Sequence, residues 1–104
     1  MSRKTDLITD LYRQTVKTVT SSERDWMAFL RTAAWQYKYP FSDQVCIYAQ
    51  NPDAVACAEI AIWNRLERWV NRGAHGIALI RDNGGRPVLS HVFDVADTHS
   101  RRPF

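Results

Sequence analysis

Apolar positions in the first part of the chain recur with the period of an α-helix. They are Leu7, Ile8, Leu11, Tyr12, Val16 and Val19. This spacing predicts a first amphipathic helix over residues 5–19. Ser22, followed three residues later by Asp25, resembles a capping box and predicts the start of a second helix.

The second helix is predicted to be apolar over more than half of its circumference. Its apolar residues are Trp26, Met27, Phe29, Leu30, Ala33, Ala34 and Tyr37. A helix of this kind is usually the centre of a small core, so we expect Trp26, Trp35 and Tyr37 to be buried. Pro40 should end the helix, because the residue before a proline avoids helical torsions.

Two further helices are predicted before residue 67. Ser42 can cap a short third helix, which the pair Asn51-Pro52 would end. A fourth helix is expected from about Ala54 to Leu66, and Trp63 continues its apolar side towards the core.

The period then changes from helical to extended. The apolar run 77–80 is typical of a buried strand, and Asn83-Gly84-Gly85 is a hairpin-turn sequence. We therefore predict an α+β fold in which three to four N-terminal helices pack on a small antiparallel sheet containing a C-terminal β-hairpin, with strands 76–82 and 87–95. Residues 1–104 form one domain in this interpretation, and residues 99–104 are a flexible tail or the edge of a longer protein.

Composition and charge narrow the class of function. The 104 residues include no apolar run long enough for a bilayer span, and the N-terminus lacks the apolar centre of a signal peptide, so a cytoplasmic location is expected. Cys46 and Cys57 lie in apolar surroundings and are interpreted as reduced core thiols. Residues 1–60 carry seven basic and seven acidic side chains, whereas residues 61–104 carry seven basic and four acidic ones.

Catalytic and metal-binding patterns are not supported. Strand alternation places His91 on the opposite face from Ser90 and Asp94, which separates the members of a hydrolytic triad. The histidines and cysteines do not fall at zinc spacings. We therefore expect no enzyme activity, no metal and no cofactor.

A basic and aromatic cluster remains between residues 63 and 76. It combines Arg65, Arg68, Trp69, Arg72 and His75 with the glycine turn of Gly73 and Gly76, and Tyr39 is a further candidate at either the core edge or the binding edge. Cationic groups beside aromatic faces are typical of proteins that bind single-stranded nucleic acid. The alternative is that the tryptophans are core residues and the arginines are solvated; we favour the core for Trp63 and leave Trp69 open.

Several segments resemble a known family. They are W-x-x-F-L at 26–30, Y-P-F-S-D-Q at 39–44, A-Q-N-P-D-A at 49–54, W-V-N-R-G-A-H-G-I-A-L at 69–79 and V-F-D-V-A-D-T at 92–98. From Thr5 to Arg101 the chain resembles the N-terminal segment of very large helicase-like or DNA-methylase-like proteins encoded by conjugative transposons of Firmicutes. Over residues 24–98 it more distantly resembles the N-terminal single-stranded-DNA-binding domain of ArdC-type antirestriction proteins.

The resemblance implies single-stranded DNA binding in the transfer or protection of a mobile genetic element. Arg72, Gly73, His75 and Gly76 match the basic glycine turn of the family, with His75 at a position where a lysine is expected in many relatives. The metallopeptidase half of the ArdC type has no counterpart in this sequence, so protease activity is not carried over.

Two other functions stay open. The same residues could form a protein-interaction module that docks another domain of a larger parent protein or a host defence enzyme, because arginine, tryptophan and tyrosine also anchor protein interfaces. A weaker possibility is an enzyme fragment. Convergence of Trp69 and the arginines on one concave, positive face would favour nucleic acid, whereas a flat, uncharged apolar patch would favour a protein partner.

Overall fold

The computed structural model describes residues 3–101 and confirms the α+β class. Its helices are α1 (Arg3–Val19), α2 (Glu23–Trp35), α3 (Phe41–Gln50) and α4 (Ile60–Arg65). Its strands are β1 (Cys57–Ala58), β2 (Arg68–Val70), β3 (Ile77–Asn83), β4 (Arg86–Asp94) and β5 (Thr98–Ser100), with a 3-10 turn at Val95–Asp97 between the last two.

The strands form two separate antiparallel sheets. The first has the order β1-β4-β3, and its centre is the predicted hairpin, in which Ile77 pairs with Val92 and Asn83 with Arg86 around the two-residue turn Gly84–Gly85. The second sheet is a ribbon of β2 and β5. Neither strand of this ribbon was predicted from the sequence, and it positions the residues discussed below.

Helix starts follow local chemistry. The Ser22 hydroxyl accepts a hydrogen bond from the Asp25 backbone N–H at 3.1 Å, as the capping pattern predicts. The expected cap at Ser42 is wrong, because α3 already begins at Phe41. Pro40 occupies the cap position there with extended torsions and makes no side-chain capping bond.

The fourth helix is shorter than expected. Residues 54–59 do not continue it, because the Asp94 carboxylate accepts hydrogen bonds from the backbone N–H groups of Val55 and Ala56, at 2.7 and 2.9 Å. These bonds hold the segment extended, and β1 pairs with the end of β4. The predicted tail also differs, since His99 and Ser100 lie in β5; residues 102–104 lie outside the described part of the chain.

The core consists of two clusters on the inner side of the helices. The first joins α3 to the hairpin and contains Cys46, Ile47, Ala54, Ile77, Leu79 and Val92. The second joins α1, α2 and α3 and contains Val19, Phe29, Ala33 and Val45. Trp63 is also buried, as predicted, and its indole N–H donates to the Phe93 carbonyl at 2.8 Å.

The prediction that Trp26, Trp35 and Tyr37 are buried is wrong, and α2 ends at Trp35. Trp26, Trp35 and Tyr37 are 36%, 62% and 75% exposed. The helix packs against α1 and α3 through the stripe that holds Phe29 and Ala33, and the described chain has no further layer to cover its outer sides. None of the described helices meets the length and hydropathy needed to cross a bilayer.

Both cysteines are free thiols in partly apolar surroundings. Burial raises the pKa of Cys46 to about 11, and burial together with the nearby Asp94 carboxylate raises the pKa of Cys57 to about 12. The folded chain therefore keeps these protons at a pH where the unfolded chain, with thiol pKa values of about 8.5, has lost them.

We expect the stability of the fold to fall as the pH rises from about 8.5 towards 11, because only the unfolded state ionises its thiols in this range. Urea unfolding between pH 7 and pH 10 measures this effect. A variant with both Cys46→Ala and Cys57→Ala should show a shallower fall. Alkylation of the native thiols by iodoacetamide at the rate of a free cysteine would contradict the burial.

Candidate nucleic-acid interface

The β2–β5 ribbon brings together two pairs of side chains, one pair from each strand segment, that are distant from each other in sequence. Trp69 lies directly opposite His99 in the antiparallel register. Asn71 follows Trp69 by two residues and lies just beyond β2. Arg101 follows His99 by two residues and lies just beyond β5. Because side chains alternate across a strand, Trp69, Asn71, His99 and Arg101 share one side, which we name the ribbon face.

Two diagonal contacts order the ribbon face. The Arg101 guanidinium carbon lies 4.5 Å from the centre of the Trp69 ring, within the range of a cation–π interaction. On the other side of Trp69, the His99 Nδ1 and the Asn71 Oδ1 are 2.6 Å apart. Both pairs join residues two positions off register, a diagonal separation that long and aromatic side chains can span.

The ribbon face is open to solvent at its two β5-side residues and partly accessible at the other two. His99 and Arg101 are exposed, and Trp69 and Asn71 are half-buried. The face therefore presents an aromatic ring with a guanidinium stacked on it and an imidazole beside it. This combination can stack on planar groups and can donate hydrogen bonds to anions.

Arg68 does not belong to this face. It precedes Trp69 in β2 and lies on the other side of the ribbon, where its Nε donates to the Thr98 hydroxyl at 2.8 Å and its Nη2 to the Thr98 carbonyl at 3.1 Å. Thr98 is buried. Arg68 therefore ties the two strands together, and the predicted convergence of Arg68 with Trp69 does not occur.

Arg65 and Arg72 flank the ribbon at either end of β2. Arg65 is the last residue of α4, and Arg72 lies in the turn after Asn71. Both side chains are exposed, and neither forms an ion pair with another described residue. Two cations near the ribbon are thus available to a ligand.

The glycine turn contributes less to the candidate binding surface than its sequence predicts. Gly73 is exposed and has a φ of 84°. At Gly76, a Cβ atom would lie 3.0 Å from the His91 Cβ and 3.1 Å from a Phe93 ring carbon. Gly76 is therefore required by the close approach of the turn to β4, whatever the turn binds.

His75 is exposed and lines a groove of about 490 Å³ beside the turn. Gln50 and Asn51 at the end of α3 and Asp97 in the 3-10 turn form other parts of its wall. The Asn71 N–H donates to the Asp97 carbonyl at 2.8 Å, which joins this groove to the ribbon. The structure thus places His75 near the ribbon, in a groove that the sequence did not indicate.

Tyr39 has a structural position. Its ring packs against the first core cluster, and its hydroxyl donates to the Cys57 carbonyl at 2.8 Å. Burial, followed by the nearby Cys57, raises the pKa of the hydroxyl. These contacts leave Tyr39 with little surface on which a base could stack.

A larger groove, of about 820 Å³, lies between α1, α3 and the hairpin. Its lining includes the carboxylates of Asp6, Asp10 and Asp43, and Asp43 is paired with Arg81 at 2.8 Å. Three carboxylates against the single lining arginine, Arg13, make this surface unfavourable for a polyanion. The volume of a groove alone therefore does not identify the candidate nucleic-acid interface.

Ser90, His91 and Asp94 each lie in a different local environment. The Ser90 hydroxyl is buried without a hydrogen bond, the His91 Nε2 lies 3.3 Å from the Lys4 ammonium, and Asp94 is bonded to backbone groups. Ser90 and His91 are not hydrogen-bonded to each other, so the nucleophile–base pair of a triad is missing. Within residues 3–101, no group of three or more His, Cys, Asp or Glu side chains is arranged so that it could hold a metal ion.

Sequence reasoning missed His99, Arg101 and Asn71. Their signal was present as alternation in two short segments, R-W-V-N and T-H-S-R, in which every second residue is aromatic, cationic or amide. The strands in these segments, β2 and β5, have three residues each, fewer than the four to eight from which a strand is usually inferred. Their pairing across 30 residues gives these side chains a common face.

Comparison with known proteins adds no further information. No family model matches the chain, and no curated protein and no solved structure matches it. The candidate interface is therefore argued from the geometry of its own residues.

Proposed function

We propose that this domain binds single-stranded DNA through the ribbon face, without strong sequence preference and without catalysis. The observation that carries the proposal is the position of the exposed Arg101 guanidinium over the partly accessible Trp69 ring, with the exposed His99 directly opposite Trp69. Single-stranded DNA exposes the planar bases that such a stack can bind, whereas a duplex keeps them paired inside the helix.

Each part of the face has a distinct role in this proposal. The guanidinium plane of Arg101 extends the aromatic surface of Trp69, and a base can stack on either group. Arg65 and Arg72 bind backbone phosphates through their forked donors. Arg68 holds β2 to β5 and contributes to binding by keeping the ribbon in place.

The resemblance to proteins of mobile genetic elements is consistent with this activity. Conjugative transfer passes through single-stranded DNA, and the domain would bind that strand in the cytoplasm as one part of a larger parent protein. No group in this proposal requires a metal or a cofactor.

The expected result of a fluorescence-anisotropy titration is binding of single-stranded oligothymidylate that weakens with salt. Release of counterions from about two phosphates, bound by Arg65 and Arg72, gives a log–log slope of about −1.4. Loss of one base stack in Trp69→Ala should weaken binding by roughly 10- to 100-fold. Duplex DNA of the same sequence should bind more weakly.

Arg101→Ala separates binding from folding, because the Arg101 side chain is exposed and its removal should leave thermal unfolding almost unchanged. The matched control is Arg13→Ala, which removes the same charge from α1, a helix that packs against α2, α3, β3 and β4. Equal affinity of the wild type, Arg101→Ala and Trp69→Ala would remove the proposed site. A slope near zero would remove the phosphate contacts.

A second candidate function is protein docking through one side of α2. Trp26, Met27, Leu30 and Phe41 are exposed there, and Trp26 and Phe41 both contact the buried Phe29 ring, with centroids at 5.4 and 5.7 Å. An apolar surface of this kind is typical of a protein interface. The titration distinguishes the two functions, since docking through α2 predicts no binding of DNA.

A further inference from the structure

Trp35 and Tyr37 form a second exposed aromatic surface at the end of α2. They are among the most exposed large side chains of the described chain, at 62% and 75%. The Lys38 ammonium lies 5.9 Å from the centre of the Tyr37 ring. On the helix, Arg24 and Arg31 precede Trp35 by eleven and four residues, which places all three on one side of α2.

This surface adjoins a small groove that leads away from α2. The groove has a volume of about 220 Å³, and Arg31, Trp35, Pro52 and Asp53 are among its lining residues. The buried Thr32 donates to the Pro52 carbonyl and the buried Gln36 to the Ala54 carbonyl, which fixes the loop 51–54 against α2. The wall formed by this loop is therefore rigidly attached to the helix that carries Trp35.

The same stretch of chain lines the groove beside the glycine turn. Gln50 and Asn51 form part of the wall of the His75 groove, and the next three residues form part of the wall of the Trp35 groove. The His75 groove is joined to the ribbon through the hydrogen bond from Asn71 to Asp97. Residues 50–54 thus contribute to both grooves, one beside the ribbon and the other beside Trp35.

We propose that Trp35 is a second base-stacking platform on the path of the same DNA strand, so that the strand runs from the ribbon face to the end of α2. This inference rests on the proposed function and specifies how far the binding site extends and in which direction the strand crosses the domain. Phosphates follow Arg72 near the ribbon and Arg31 and Arg24 along α2.

The path predicts that Trp35 contributes to the binding of a long strand and not of a short one. Oligothymidylates of about 5 and about 15 nucleotides bracket the site sizes typical of such proteins. Trp35→Ala should weaken binding of the longer strand roughly tenfold and leave that of the shorter one unchanged. Trp69→Ala should weaken both. Fluorescence anisotropy with the full chain measures all four affinities.

Trp26→Ala is the matched control, because Trp26 lies nine residues before Trp35 and thus half a turn around the same helix. It should bind both strands like the wild type, and thermal unfolding checks that each variant is folded. Wild-type affinity of Trp35→Ala for the longer strand would overturn the path while leaving the ribbon face intact. Absence of binding by the wild type would overturn the proposed function and the path together.

Discussion

Replacing Asp94 with alanine is expected to destabilise the fold by about 3–5 kcal/mol, a large part of the stability of a domain of this size. Asp94 is 2% exposed and accepts three backbone hydrogen bonds, from Val55, Ala56 and Ala96. Alanine would leave these N–H groups without their partner. Urea unfolding followed by circular dichroism measures the loss.

The substitution should also weaken DNA binding, because Asp94 organises the start of the ribbon. It caps the 3-10 turn from which β5 begins, and it holds the segment that leads to β1 and α4. Asp94→Asn keeps one acceptor oxygen and should lose about half as much stability.

Asp53→Ala is the matched control for folding. Asp53 lies in the same loop region, is exposed, and should change stability by less than about 0.5 kcal/mol. A loss for Asp94→Ala no greater than that of Asp53→Ala would show that the three hydrogen bonds do not hold the loop.

Local sequence patterns were sufficient to predict the elements that depend only on residues close in sequence. The period of α1, the cap at Ser22 and the glycine turn of the hairpin each involve residues close in sequence, and each was predicted near its observed position. The start of the fourth helix was not. The position of this start depends on hydrogen bonds to Asp94, almost 40 residues away, which no local pattern identifies.

The site was predicted in part for the same reason. Trp69 lies in the ribbon, Arg72 beside it and His75 in the next groove. The stacking partner of Trp69, Arg101, comes from a segment that was interpreted as a tail. Arg68 and Tyr39 have the residue types of a binding site and are engaged in hydrogen bonds within the fold. Residue type indicates what a side chain can bind, and only tertiary structure determines whether it is free to do so.

Apolar periodicity was also ambiguous at α2. The helix has apolar residues on several sides, and the sequence cannot distinguish burial in the core from exposure at an interface. In the structure Phe29 and Ala33 supply the core, whereas Trp26 and Trp35 point to different exposed sides. We therefore propose different roles for them, protein docking for Trp26 and base stacking for Trp35.

Gln50→Ala is expected to destabilise the fold by about 2–4 kcal/mol, because Gln50 closes the open edge of the hairpin. The Gln50 Oε1 accepts from the Ala78 N–H and the Gln50 Nε2 donates to the Ala78 carbonyl, both at 2.8 Å. Ala78 is buried in β3, the edge strand of its sheet, so water would not readily replace these bonds. Chemical denaturation measures the change in the free energy of unfolding.

Gln50→Glu tests the donor alone, since it keeps the acceptor for the Ala78 N–H and brings a second oxygen against the Ala78 carbonyl. Repulsion between these oxygens should raise the pKa of the new carboxyl above about 4.3, so the loss of stability should shrink as the pH falls and the carboxyl is protonated. Gln14→Ala, at an exposed position of α1, is the matched control and should be nearly neutral. A pH-independent loss in Gln50→Glu would mean that the side-chain amide does not donate to the strand, and that packing of α3 against β3 holds this edge instead.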